Sequence, residues 1–418
     1  MGVSGCLQAG SLGAADLRRR LGVSPATLMR AVRAEGSSVL RMGRARATRY
    51  ALPEAWPGFA GPTFPVFRVS ETGRAEAVGD LVTLAAGETL WHPSERVGRG
   101  LPAEVDDALP GGPLSAHFAV AHSDLRLPPE RAQWSAPHSL LALTRRGEDL
   151  PGNLIVGLES LARWQAIRPS LRTRADFPAL ADAVVAGQPV SPLLGGSRPK
   201  FGALVEGRHA LVKFAPGHGS ADPVATRWRD LLYLEALAHG VIAERGVPTA
   251  ELAIVEAGPY LCLEVVRFDR IGLRGRRAVM RLSALHRNPA DSWTEAGASL
   301  REAGVVSESD ARLLRWLDAF GVLIAATDRH QRRVAFLTGG DRARLAPVCG
   351  LRPGLLAPSS AGQVPDRSFV VPQANPGTGD VWDDTRSAAG EFWGRASDEP
   401  RLSDGVRALA ASAARQLA

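Results

Sequence analysis

The chain is almost without lysine. Lys200 and Lys213 are its two, so arginine supplies 48 of the 50 basic residues. A lysine ammonium is a compact point charge, whereas a guanidinium is a planar fork. A position that keeps lysine in so arginine-dominated a chain is one whose chemistry calls for the ammonium. Cysteine is scarce as well. Cys6, Cys262 and Cys349 are scattered and odd in number, which excludes a disulfide framework or cysteine metal cluster and implies a reducing cytoplasm. Long apolar runs are missing: the longest, residues 319–327, is about half of the roughly 18–20 residues a membrane span needs. The first twenty residues lack a basic region followed by an apolar one, so no secretory signal is expected.

The chain has 418 residues, 45% hydrophobic and 22% charged, enough apolar material for two or three structural units. The formal charge is +7, and its place is more informative than its size. Residues 1–50 hold nine arginines against Asp16 and Glu35, so this stretch carries the entire excess. A small basic module on a neutral body is the footprint of binding to a phosphate backbone.

Local signals divide that module. Residues 13–21 carry apolar positions at helical spacing, closed by Gly22. Ser24 caps a second helix with Pro25 at its first position, where the missing N–H costs nothing. Leu28, Met29 and Val32 face inward on it, and Gly36 ends it. Two short alternating segments then flank an arginine-rich turn, a β-hairpin pattern. Helix, tight turn, helix and basic hairpin read as a winged helix-turn-helix over residues 1–52. In that reading Ser24, Thr27, Arg30 and Arg33 serve the DNA-reading helix, and Arg44, Arg46 and Arg49 form a wing on phosphates or the minor groove. Such readers usually meet paired half-sites as dimers, so a homodimer on DNA is expected.

Residues 53–65, with four prolines, read as a linker. Short strand-like runs follow to about Gly112. The stretch 113–190 gives no clear pattern. Two hairpins are legible, one turning at Glu206-Gly207 and one at Gly258-Pro259. A long helix is expected over 224–245 and another over 308–326, capped by Ser307 with Asp310. After Leu356 the chain is rich in Pro and Gly, and a last amphipathic helix begins near Ser403.

The order of parts in the body is that of a kinase. A loop with Gly195, Gly196 and Lys200 precedes the hairpin whose second strand ends in Lys213. A helix with Glu235 follows, then the second hairpin, then a long helix leading to Asp328 and His330. A kinase covers phosphates with a glycine loop, grips them with a strand lysine oriented by a helix acid, and takes a hydroxyl proton on an aspartate. Each piece alone has a plain structural reading; together, in this order, they point to phosphoryl transfer.

With Lys213, the RFDR run 267–270, residues 321–330 (GVLIAATDRH) and 345–358 (LAPVCGLRPGLLAP), the chain resembles the HipA family of serine/threonine kinases. It is most similar to the YjjJ-like branch, which carries a fused N-terminal DNA-binding domain; GSRPKF, LVKF and TRWRDLL match that branch too. The resemblance implies an α+β chain. A winged helix-turn-helix comes first, then a HipA-like N-terminal subdomain and β-rich kinase N-lobe over 66–290, then a helical C-lobe over 291–418. It makes Lys213 the nucleotide-phosphate lysine, Glu235 its partner, Val266 to Phe268 the adenine-facing hinge, and Asp328 with His330 the catalytic pair.

The departures are as informative. The family's magnesium-holding asparagine is Arg333 here, its main metal-ligand aspartate is Gly350, and Leu193 replaces its self-phosphorylated serine. Mg²⁺ needs oxygen ligands, which arginine and glycine side chains lack. The expected protein is therefore a cytoplasmic, DNA-binding, HipA-like kinase-fold regulator that binds ATP with weak or absent transfer. One alternative is an active ATP-dependent serine/threonine kinase toxin of a type II toxin–antitoxin system with a protein substrate. Another is a small-molecule phosphotransferase.

Overall fold

The computed structural model describes residues 2–111, 113–187, 199–359 and 361–418. Its contacts divide into two compact units, residues 1–70 with 74–168, and residues 71–73 with 169–418. The expected boundaries at 52, 65 and 290 do not coincide with this division, for reasons the packing makes plain.

The first unit opens with α1 (Val3–Leu7), β1 (Leu12–Gly13), α2 (Ala14–Leu21), α3 (Pro25–Glu35), β2 (Leu40–Met42) and β3 (Arg49–Ala51). Gly22 turns the chain between α2 and α3 in the left-handed region, φ +66°, where glycine pays no steric penalty. The Ser24 hydroxyl accepts from the Thr27 N–H at 3.2 Å, capping α3. The three short strands order as β1-β3-β2. Leu7, Leu17, Leu28, Val32, Val39 and Tyr50 fill the core they share.

Residues 53–65, read as a linker, run docked along the next sheet. The Trp56 indole is buried and donates to the Leu84 carbonyl at 3.2 Å. Met42 and Ala51 share a buried cluster with Val82, Leu84 and Leu90, which is why the first 52 residues belong to a larger unit. That sheet is built from β4 (Thr63–Val69), β5 (Ala75–Thr83), β6 (Glu88–Trp91), β7 (Arg96–Arg99) and β8 (Leu154–Val156), in the order β7-β6-β5-β4-β8. A bulge at Val66/Phe67 shifts the β4 register. Phe64 and Val66 are buried on one face of β4, while Phe67 and Val69 alternate to the other, where Val69 packs with Ile155 and Trp164. Between β7 and β8 lie α4 (Ala103–Asp106), α5 (Pro113–Ala121) and α6 (Ala136–Arg146), and α7 (Leu158–Ala166) follows β8.

The second unit has its own five-stranded sheet. Its elements are β9 (Leu171–Arg172), α8 (Phe177–Val185), β10 (Lys200–Val205), β11 (Arg208–Pro216), α9 (Pro223–Glu244), β12 (Leu252–Ala257) and β13 (Tyr260–Val266). The strand order is β12-β13-β11-β10-β9. Alternation along β11 decides the site. Val212 and Phe214 pack with Phe177 and Phe201 beneath α8. Lys213 must then point to the opposite face, the one where Leu261, Leu263 and Val265 of β13 meet the core under α9.

Small pieces follow: β14 (Arg270–Ile271), β15 (Gly275–Arg276), β16 (Val279–Arg281) and α10 (Leu282–Leu285). The helical body is α11 (Trp293–Glu302) and α12 (Glu308–Leu323), then β17 (Ala335–Leu337), β18 (Arg344–Leu345), α13 (Gly379–Asp398) and α14 (Asp404–Leu417). The twenty-residue α13 is absent from the sequence reading. Its Phe392 and Trp393 are fully buried, and the Trp393 indole donates to the Leu323 carbonyl at 3.1 Å. Among the described residues no helix is long and apolar enough to cross a membrane.

Candidate functional site

Four segments of the second unit converge: β11, α9, the loop after α12 and the loop after β18. α9 starts cleanly because Asp222 accepts from the Val224 and Ala225 N–H groups and Pro223 stands at its first position. It carries Glu235 fully buried to the Lys213 ammonium, with which Glu235 forms an ion pair; the Lys213 side chain is 13% exposed. Lys200 is the cross-strand partner of Lys213, so both lysines share one face.

The loop after α12 holds Asp328. Asp318, buried within α12, accepts from the Thr294 N–H and hydroxyl at 3.2 and 2.9 Å and pairs with Arg329. A Cβ on Gly321 would come within 2.6 Å of the Arg329 Cδ, so glycine makes room for this tether. Asp328 lies 3.1 Å from His330 Nε2 and is ion-paired with Arg333, which sits on the short turn Gln331–Arg333. Burial first, then Arg332 and Arg281, hold the His330 imidazole below the usual histidine range.

Gly350 completes the arrangement. Its φ is +87°, and a Cβ there would lie 3.6 Å from Lys213 Nζ and 3.9 Å from Glu235 Oε1. Its N–H donates to His239 Nε2 at 3.2 Å. Burial, reinforced by Lys213 and opposed by Glu235, lowers the His239 pKa to about 4, so the ring is neutral and can accept. Arg352 lies on the far side of the carboxylate, its Nη1 3.9 Å from Glu235 Oε2 and its side chain 13% exposed. A cavity of about 50 Å³ is lined by Phe268, Asp328, Arg333, Cys349 and Gly350 among others. Phe268 of the expected hinge therefore lines the same cavity as Asp328, while Val266 is bound into the sheet opposite Ala210. Next to them Asp269 is buried. Burial would raise its pKa, but Arg267 and Arg270 at 2.5–3.0 Å hold it well below the ordinary carboxylate range.

A divalent cation asks for six or more oxygen ligands. Glu235 is bound to Lys213, Asp328 is engaged by Arg333 and His330, Asp318 is paired with Arg329, and Asp269 is held by Arg267 and Arg270. Among the described residues no three His, Cys, Asp or Glu side chains converge as a metal set. Mg²⁺ usually takes one or two carboxylates beside phosphate and water oxygens; here Glu235 and Asp328 are already paired with cations, and the side chains at 333 and 350 offer no oxygen.

Gly195, Gly196 and Leu193 lie outside the described residues. In the first unit Arg30, Arg33, Arg44 and Arg46 are exposed. Ser24 is occupied as a cap, its hydroxyl 3.0 Å from that of Thr27, which in turn accepts from Arg30 Nη2 at 3.4 Å. Arg49 turns back on its own module and donates to the Ser11 carbonyl and hydroxyl at 3.1 and 2.9 Å. Arg352, His239 and Asp318 were not singled out from sequence. No local pattern marks them, because each reaches the site through residues far along the chain.

Comparison with known proteins adds the following. Residues 60–165 match the family described as "YjjJ-like toxin, middle domain", and residues 193–361 match "HipA-like C-terminal domain". Toxin YjjJ of Escherichia coli (strain K12) is 31% identical over 425 residues, covering 96% of this chain and 94% of that protein. Among solved structures, the fold is similar to a chain of the Shewanella oneidensis MR-1 toxin–antitoxin complex of HipA, HipB and its operator DNA. The TM-score is 0.54 at 12% identity, over 84% of this chain and 95% of that one; at that identity the likeness concerns fold alone.

Proposed function

The chain belongs to the YjjJ-like branch of the HipA-like family, and on that basis we propose a DNA-binding, kinase-fold regulator whose cleft holds a nucleotide such as ATP but transfers phosphate weakly or not at all. One observation carries the reading: Gly350 stands where a side chain would meet the phosphate-gripping lysine, 3.6 Å from its Nζ. Lys213 and Glu235 keep the grip. Gly350 and Arg333 withhold the oxygen ligands for Mg²⁺, and neutralising phosphate charge is most of what a kinase supplies. Label transfer from ATP with and without Mg²⁺ tests it. Mg²⁺-dependent turnover at ordinary kinase rates, roughly 1–100 per second, would favour the second reading, an active serine/threonine kinase toxin acting on a protein. That reading has its own support in the formed Lys213–Glu235 pair and the retained Asp328.

The N-terminal module is the DNA reader in this proposal. Its order, α1, β1, α2, α3 and the β2–β3 hairpin, supports the winged helix-turn-helix reading, with Arg30 and Arg33 exposed on the second helix of the pair. A solved relative in fold was captured with HipB and operator DNA; here the reader would sit in the same chain and need no separate partner. Binding as a homodimer to paired half-sites follows from the geometry of such readers. A footprint on one half-site with monomer mass would overturn the dimer.

A further inference from the structure

We propose that the cleft takes its nucleotide as an uncomplexed polyphosphate, a nucleoside di- or triphosphate without a divalent cation, and that Arg352 and Arg333 supply the charge the cation would bring. This rests on the nucleotide-cleft reading and goes beyond it by fixing the form of the ligand. The argument is one of charge. Glu235 is a single, fully buried carboxylate, yet it faces Lys213 on one oxygen and Arg352, 3.9 Å away, on the other. Arg333 is a third cation close by: it lines the cavity with Gly350, and its guanidinium also feels Glu235. The second carboxylate, Asp328, is 45% exposed and already paired with Arg333. Among the described residues, Lys213, Arg352 and Arg333 therefore face Glu235 and Asp328, while neighbouring Asp269 is taken up by Arg267 and Arg270. The 3.9 Å separation leaves Arg352 a weak partner for Glu235, and its Nε is buried without a hydrogen-bond partner among the described residues.

Buried charge is stable only when paired, so a surplus cation in a cleft favours an anion. Mg²⁺ would enter against that surplus and would find Gly350 where it needs oxygen. A metal-free polyphosphate brings the missing negative charge, and guanidinium forks match its oxygens in pairs. The family device of one lysine plus a metal is thus replaced by one lysine plus two arginines.

Calorimetric titration of the full chain with ATP and ADP, in excess EDTA and in excess Mg²⁺, tests this. The expected result is affinity in EDTA equal to or greater than that in Mg²⁺. Arg352→Gln should weaken binding in EDTA by about tenfold, and Arg352→Lys, which keeps the charge, should retain most of the affinity. Circular dichroism checks that both variants fold. Gly350→Asp should reverse the sign, so that Mg²⁺ tightens binding. Tighter wild-type binding with Mg²⁺ overturns the inference, and so does an equal loss in Arg352→Gln and Arg352→Lys. If Lys213→Ala abolishes binding while Mg²⁺ tightens it, the nucleotide-cleft reading survives and only this inference falls. Absence of binding under both conditions removes both.

Discussion

A Cβ on Gly350 would lie 3.6 Å from the Lys213 ammonium, so the smallest side chain in the protein's vocabulary faces one of its two lysines. Restoring the family residues with Gly350→Asp and Arg333→Asn should raise Mg²⁺-dependent label transfer from ATP. Either change alone should do less, because the two ligands act on one ion. Transfer that stays flat in the double variant, with nucleotide binding intact, contradicts the metal account.

Lys213 and Glu235 form a buried pair, and removing one charge strands the other. Lys213→Met should lower unfolding stability by roughly 1–3 kcal/mol, below the 3–5 kcal/mol of a fully stranded charge, because Arg352 remains near Glu235. Adding Glu235→Gln should recover part of that loss. Urea unfolding of the four members of the cycle measures the coupling; additive effects would mean that the pair contributes nothing.

His239 should give the fold an acid-sensitive step. Burial lowers its folded pKa to about 4 from an ordinary 6.5. As pH falls, the unfolded chain takes up the proton first. Stability is thus full above about 6.5 and declines as pH falls through about 4, by at most about 3 kcal/mol. Urea midpoints across that window should fall less steeply in His239→Gln than in the wild type. Parallel curves would show that the ring titrates normally.

The wing arginines should separate by role. Arg46→Ala should reduce the magnitude of the salt slope of DNA binding by about 1. Arg49→Ala should instead cost stability, by roughly 1–3 kcal/mol for lost charged hydrogen bonds, because its guanidinium holds Ser11. Point variants suit the test better than deletion of residues 1–52, since Met42 and Ala51 share a core with Val82 and Leu84. A salt slope unchanged in Arg46→Ala argues against the wing.

Much of the local structure could be read from neighbouring residues. Ser24-Pro25 and Ser307 mark helix starts because capping is satisfied within a few residues. Glu206-Gly207 and Gly258-Pro259 mark turns for the same reason. The charge excess of residues 1–50 and the chain order of Lys213, Glu235 and Asp328 are likewise properties of the sequence alone.

Other features needed the folded chain. α13 contains Gly390 and Gly394 and follows a Pro- and Gly-rich stretch, so local propensity argues against it; burial of Phe392 and Trp393 against α12 holds it. The docking of residues 53–65 depends on Trp56 meeting Leu84, and the inward turn of Arg49 on Ser11. Arg352 meets Glu235, and Gly350 meets His239, across more than a hundred residues. Sequence spacing sets which face a side chain takes on its own helix or strand. Which distant face it meets is decided by packing, and the charge balance of the cleft belongs to that second kind of information.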